Sequence, residues 1–291
     1  MTNFADKVKA IYRRANDLSG GSLDILRETF QRFNDARASE AAAGMAYYAL
    51  FSLFPLLLAL VAAGSFFLES ERAYREVVDL VTQAIPVSRG LIERNIRRVL
   101  ELRGTVGIVG LIGLLWSATG VFTILANHIN RAWPEAETRN FLEKRLVALG
   151  MVGVLAGLLV LSLFSTAVLN LLPRLQVPLW GGVSIYETSL WAIVSKLVPG
   201  LFISLMFLSL YRWVPNTEVK WSGAVWAALV AAFAWEAVAS AFTWYLSSGL
   251  ARYELVYGSL GAVVALMFWI YISSLITLFG AYLSAAINQH T

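Results

Sequence analysis

Polar and apolar positions along this chain fall into long blocks. A polar segment of about forty residues comes first, and six apolar runs follow. They extend from about Ala41 to Leu68, Thr105 to Asn130, Leu146 to Leu172, Leu190 to Tyr211, Trp221 to Leu246 and Tyr257 to Ile287. Each run reaches the roughly 20 residues a helix needs to cross a bilayer. The third, LVALGMVGVLAGLLVLSLFSTAVLNLL, carries no charge. Backbone groups in hydrocarbon must pair within their own segment, and the short alternating strands of a barrel are missing, so the runs read as helices. The pattern predicts an all-α, polytopic membrane protein with six transmembrane helices.

The segments between these runs keep helical periodicity. In FADKVKAIYRRAND, Phe4, Val8, Ile11 and Tyr12 share one face, which suits either a helix resting on an anionic leaflet or one packed on the protein body. SGGS, Ser19 to Ser22, separates it from a second helix carrying Leu23, Leu26, Phe30 and Phe33. Residues 1–39 thus read as amphipathic helices on the cytoplasmic side, and residues 40–291 as the transmembrane domain. Within that domain, residues 69–104 contain two more periodic stretches divided by Pro86, with Ser88 placed to cap the second. We read them as a helical hairpin on the outer face.

Composition sharpens the class. The chain is 58% hydrophobic and 14% charged, where soluble domains carry roughly a quarter charged residues. A net charge of +4, without a clustered basic face, gives no footprint for nucleic acid. Cysteine is absent, which removes disulfides and thiolate metal sites. Lys and Arg distribution sets orientation. With the N-terminus inside, the short inner loops carry Arg131, Arg139, Lys144, Arg145, Arg212 and Lys220, and the short outer loops only Arg174 and Arg252. The long loop after the first run has seven arginines but also six acids. Both termini are therefore expected in the cytoplasm. The first apolar run lies behind a polar segment, so an uncleaved insertion signal is expected rather than a signal peptide.

Candidate chemistry is sparse. The second run ends in WSATGVFTILANHINRAW, where Asn127, His128, Asn130 and Arg131 crowd into about one turn. An interfacial anchor with Arg131 and Trp133 is one reading of this cluster, and a ligand or headgroup contact is the other. Charges inside spans cost at least ~2.5 kcal/mol each on insertion scales. Lys196 and Glu236 qualify, about one turn apart in depth. They read either as an internal polar pair or as a snorkelling lysine beside a locally bonded glutamate. Pro55, and Pro199 with Gly200, interrupt the first and fourth runs. These are matching places in two halves of three helices, as in inverted-repeat transporters, although proline is tolerated in spans for other reasons. Gly150, Gly153 and Gly157, Gly223 with Ala227, and Gly258 with Ala262 allow close helix approach within the chain or between copies.

Five blocks carry a family resemblance: AAAGMAYYALFSLFPLLLAL from Ala41, LWSATGVFTILANHINRAW from Leu115, LYRWVPNTEVKWSGAVWAAL from Leu210, FAWEAVASAFTWYL from Phe233 and YGSLGAVVALMFWIYISSLITLFGAYLSAAI from Tyr257. In order and spacing the chain resembles the YihY/BrkB family of bacterial inner-membrane proteins, for which the name ribonuclease BN has also been used. The resemblance implies six helices in the inner membrane. In that family a glutamate often follows the Gly-Ala pair of the last helix; here Gly280 and Ala281 precede Tyr282, so no role passes to a carboxylate at that position.

The resemblance does not settle an activity. Metal-assisted phosphodiester cleavage needs several carboxylates or histidines converging on ions, and neither His128 nor His290 belongs to a metal-spacing motif. No acid–base partner accompanies His128, and no GxxxxGK[ST] motif supports ATP-driven transport. The expectation is a non-enzymatic transporter or lipid-handling protein with an internal polar site, needing no metal or cofactor and in contact with membrane lipids. The alternatives are a scaffold that docks an envelope protein through the hairpin, and a nuclease. Subunit number is not legible.

Overall fold

The computed structural model describes residues 13–14, 16–17, 20–67, 119–171, 189–248 and 260–290. The expected hairpin, the first half of the second apolar run and most of the first amphipathic helix lie outside these residues. Among the described residues every regular element is helical: α1 (Ser22–Asp35), α2 (Ala38–Phe67), α3 (119–130), α4 (Phe141–Leu171), α5 (Ser189–Trp213), α6 (Trp221–Ser247) and α7 (Leu260–His290). Three of them contain stretches long and apolar enough to cross a membrane: Phe141–Ser162, Trp221–Tyr245 and Val263–His290.

Local chemistry explains where α1 and α2 begin. Gly20 and Gly21 have φ of 62° and 87°, the left-handed region that glycine enters without a Cβ clash, and the chain turns there into α1. A second turn at Ala36 and Arg37 is closed by the Ala36 N–H donating to the Arg32 carbonyl at 3.0 Å. It sends the chain directly into α2.

α7 is the central element. α1, α2 and α6 all pack on it, α5 packs on α6, and α4 packs on α5. The side chains of α1 that the sequence marked as apolar divide their work. Phe33 meets Phe279 and Tyr282 edge-on at 5.9 and 6.0 Å; Phe30 also reaches Phe279, at 5.0 Å, but stays about half exposed, as Leu26 is in part. α1 therefore leans on the body and still presents an apolar edge.

Two glycines set how closely α7 is approached. A Cβ on Gly280 would fall 2.1 Å from the Tyr211 hydroxyl oxygen, and one on Gly223 would fall 2.9 Å from the Ser284 carbonyl oxygen. Tyr211 on α5 is fully buried over Gly280, and its hydroxyl donates to the Thr277 carbonyl at 3.1 Å. Along α6, Ala224, Ala227, Ala228 and Ala231 are buried small residues, as are Ala281, Ser284 and Ala285 on α7. The expected Gly223–Ala227 spacing thus forms a helix contact. Gly150, Gly153 and Gly157 on α4 are different, with nothing among the described residues within 4 Å of a Cβ at any of them, and Gly258 lies outside the described residues.

Burial follows from this packing. Every residue of α7 from Gly280 to Ala286 is buried, whereas Val263, Val264, Leu266 and Phe268 are exposed. The bundle is closed around the last third of α7 and more open in its other half. Overpacking a tight contact costs about 1–3 kcal/mol. Gly280→Ala is therefore expected to lower the unfolding temperature of the detergent-solubilised protein clearly. Gly153→Ala is expected to leave it within experimental scatter.

Candidate functional site

Two polar regions lie on this frame. The first closes the loop-bearing end of the bundle. α3 ends at Asn130, whose side-chain oxygen accepts the Asn216 backbone N–H at 2.7 Å and whose amide nitrogen donates to the Glu137 carbonyl at 3.3 Å. The Asn216 side-chain amide donates to that same carbonyl at 3.1 Å. Arg139 completes the junction, donating through Nη1 to the Val214 carbonyl at 2.5 Å and through Nη2 to the Pro215 carbonyl at 3.3 Å. The loop before α4 and the loop before α6 are thereby joined through backbone groups that would otherwise be orphaned. Burial lowers the Arg139 pKa and Glu143 opposes the shift; arginine remains charged in proteins and presents a planar fork of donors to the two carbonyls.

The start of α6 is secured in the same manner. Lys220 occupies its N-cap without a side-chain cap of its own, and Asn288 on α7 supplies the acceptor for the Lys220 N–H at 2.7 Å. Arg145 on α4 donates to the Thr119 hydroxyl on α3 at 2.7 Å. Glu28 on α1 meets Arg32 at 2.5 Å and His290 Nε2 at 2.7 Å, and Arg32 also donates to Gln289. These contacts place α1 beside the last turn of α7.

Of the expected interfacial cluster, only Asn130 enters this network. Asn127 and Arg131 are exposed and His128 is half-buried. The buried neighbours are instead Ile129, Ala132 and Trp133, which pack into the core. Among the described residues no group of three or more histidine or acidic side chains could hold a metal ion.

The second region is in the middle of α6. Trp235 takes the inward position, with its ring 6.0 Å from Phe207 on α5 and 5.1 Å from Trp269 on α7. Phe242 continues this aromatic seam at 5.2 Å from Trp269. Glu236, which the sequence left open between an interior pair with Lys196 and a locally bonded residue, is exposed on the flank of α6, about 100° around the helix from the inward-facing Trp235. Lys196 is on α5, and its side chain lies outside the described residues. By backbone rise, Lys196 and Glu236 stand roughly 25 Å and 22 Å from the ends of their helices at the shared loop, so they are at similar depth.

The helix-break candidates are placed within continuous helices. The α2 backbone runs helically through Pro55, whose side chain lies outside the described residues. Pro199 sits inside α5, where its missing N–H removes one bond of the helical ladder. The Ser204 hydroxyl donates to the Gly200 carbonyl at 2.8 Å, just beyond that break.

A family model described as Virulence factor BrkB matches residues 29–291. The chain belongs to this family. Among its relatives, a Bacillus subtilis (strain 168) protein named YfkH and called ribonuclease-like is 26% identical over 269 residues, covering 92% of this chain and 96% of its own. The UPF0761 membrane protein Smlt0865 of Stenotrophomonas maltophilia (strain K279a) is 29% identical over 284 residues, covering 97% of this chain. The match takes in only 64% of the Stenotrophomonas protein's length. A UPF0761 membrane protein of Vibrio atlanticus (strain LGP32) is 26% identical over 275 residues, covering 92% of this chain and 84% of its own. No solved structure matches.

The BrkB match begins inside α1 and takes in both polar regions. Within this BrkB-family chain, sequence reasoning found Asn130 and Glu236 but missed Arg139, Asn216 and Asn288 as junction residues. Their bonds link positions 68 to 86 residues apart, for which no local spacing is a signal. Leaving a buried polar group without its partner costs about 1–3 kcal/mol. Asn130→Leu, which strands the Asn216 N–H, should lower the unfolding temperature in detergent far more than Asn127→Leu.

Proposed function

We propose that this BrkB-family membrane protein crosses the bacterial inner membrane six times with both termini in the cytoplasm. In this reading it transports or otherwise handles a lipid or amphiphilic solute at a polar site centred on Glu236, with Lys196 at similar depth on the neighbouring helix. The observation that carries the reading is the exposed carboxylate of Glu236 in the middle of an apolar helix. Ionisable side chains inside spans are costly and mark pathways or binding sites far more often than lipid contact. A sealed ion pair would act only as a staple, whereas an exposed group can meet a solute.

The loop-bearing end supports the proposed orientation. Arg131, Arg139, Lys144, Arg145, Arg212 and Lys220 all lie on or beside its loops, as positive-inside placement asks of a cytoplasmic face. α1 and the end of α7 share that face through Glu28 and His290. Trp213, Trp221 and Trp226 are exposed beside it, and Arg212 stands 5.3 Å over the Trp221 ring, a composition suited to a headgroup layer.

The ribonuclease-like name of the Bacillus relative finds less support in this chain. The charged group beside His128 among the described residues is Arg131, and the groups around Asn130 are spent on holding loops.

Native mass spectrometry of the detergent-purified protein, wild type beside Glu236→Gln, tests the proposal without a guess at the solute. A lipid or small molecule retained by the wild type and lost from the variant is expected. Identical spectra without any specific adduct would count against a solute site at this position.

A further inference from the structure

Glu236 is not the only polar residue on the exposed flank of α6. Ser240 and Thr243 are exposed as well. At 3.6 residues per turn the three positions fall within roughly 60° of one another, and they span about 10 Å of helix. The stripe runs from Glu236 toward the end of α6 farthest from the loop-bearing face. One border is aromatic: Phe233 is 77% exposed and Trp244 65% exposed.

Depth can be read from the tryptophans of the same helix. Trp226 and Trp244 are both exposed and lie about 27 Å apart along α6, close to the roughly 30 Å of a hydrocarbon layer. Glu236 lies about 15 Å from the first and about 12 Å from the second, which puts it near the midplane. The stripe therefore joins the middle of the membrane to one surface.

The stripe presents acceptors. The Thr243 hydroxyl gives its proton to the Ala239 carbonyl at 2.8 Å, which leaves its oxygen lone pairs facing outward. The Glu236 carboxylate offers two further acceptor oxygens when ionised, and Ser240 stands between the two. A ligand seated here must donate hydrogen bonds, complement a negative charge and keep an apolar part against Phe233 and Trp244. A primary ammonium head on a lipid meets all three requirements. A quaternary ammonium head carries the charge but has no N–H to donate.

We infer that Glu236, Ser240 and Thr243 form a half-membrane track on the outside of α6 that takes the primary-ammonium head of a membrane lipid, with its tails left in the bilayer. The inference rests on the reading of α6 as a membrane span with a solute site at Glu236. It adds the ligand class and a lateral route of entry.

The absence of cysteine makes the track directly testable. Single cysteines are placed at Ser240 and Thr243 on the stripe, and at Val230 and Ala237 beside it. Each protein is reconstituted in phosphatidylcholine vesicles and reacted, from both sides, with a water-soluble trimethylammonium methanethiosulfonate. The reaction requires a hydrated thiolate, which attacks the reagent sulfur and releases methanesulfinate, so its rate reports water in the track. Ser240→Cys and Thr243→Cys are expected to react several-fold faster than Val230→Cys and Ala237→Cys. Replacing half of the lipid by phosphatidylethanolamine should slow Ser240→Cys several-fold. That protection should disappear with Glu236→Gln and persist with Glu236→Asp, which reports that the altered site is still formed.

Equal rates at all four positions would overturn the track, and equal rates in the two lipid mixtures would overturn its ligand. Neither result depends on a molecule being retained in detergent, so a failure here is distinguishable from a failure of the solute-site reading itself.

Discussion

The distance at which other helices can approach the last third of α7 governs this structure. Helices in lipid gain little from burying apolar surface against each other, because lipid tails are equally apolar; they associate through van der Waals contact and close backbone approach. Gly280 and Gly223 supply that approach, one beneath the Tyr211 ring and the other against the Ser284 carbonyl. Once α5 and α6 are drawn to α7 there, the connection between them must turn tightly over the end of the bundle. Its backbone groups then need partners, and Asn130, Arg139 and Asn288 provide them. The polar junction is thus a consequence of the glycine contacts as much as a support for them.

The same constraint accounts for the more open half. Beyond Ala232 the small residues on the inward face of α6 give way to Trp235 and Phe242, which meet Phe207 and Trp269 ring to ring at 5–6 Å. Rings of this size hold helices further apart than alanine does, and they occupy the interior themselves. A carboxylate next to Trp235 in sequence has no inward space to enter. It is left on the flank, where only a partner, a solute or water can offset the cost of its charge.

How much of this could be read in the sequence depended on whether the information was local. Helices α2, α4, α5, α6 and α7 were legible from their apolar runs, and the contact face of α6 from the spacing of Gly223 and Ala227. The same spacing logic also marked Gly150, Gly153 and Gly157, where a Cβ would meet no neighbour within 4 Å among the described residues, because a small-residue pattern states what an approach would permit and not whether a helix is there. The Tyr211–Gly280 fit was invisible, being a large residue and a gap on helices 69 positions apart. Glu236 stood out as a charge in an apolar run, yet its direction depended on rings from α5 and α7. The i, i+4, i+7 relation to Ser240 and Thr243 was present in the sequence. It gains meaning only once that flank of α6 is known to be exposed.

The two polar regions also differ in what their groups have left to offer. Asn130 already uses both its oxygen and its nitrogen, and Arg139 directs two of its donors to backbone carbonyls, so little capacity remains there for a ligand. His128 drew attention by its rarity, but it lies beside a junction whose groups are committed. On α6 the situation is reversed: the exposed oxygens of Glu236, Ser240 and Thr243 lie along one flank of the less tightly packed half. Binding elements come from the less stable parts of a fold, because a site that must open cannot also be the part that holds the molecule together. On the proposed reading the solute site draws on α6, while the loop-bearing end serves the architecture.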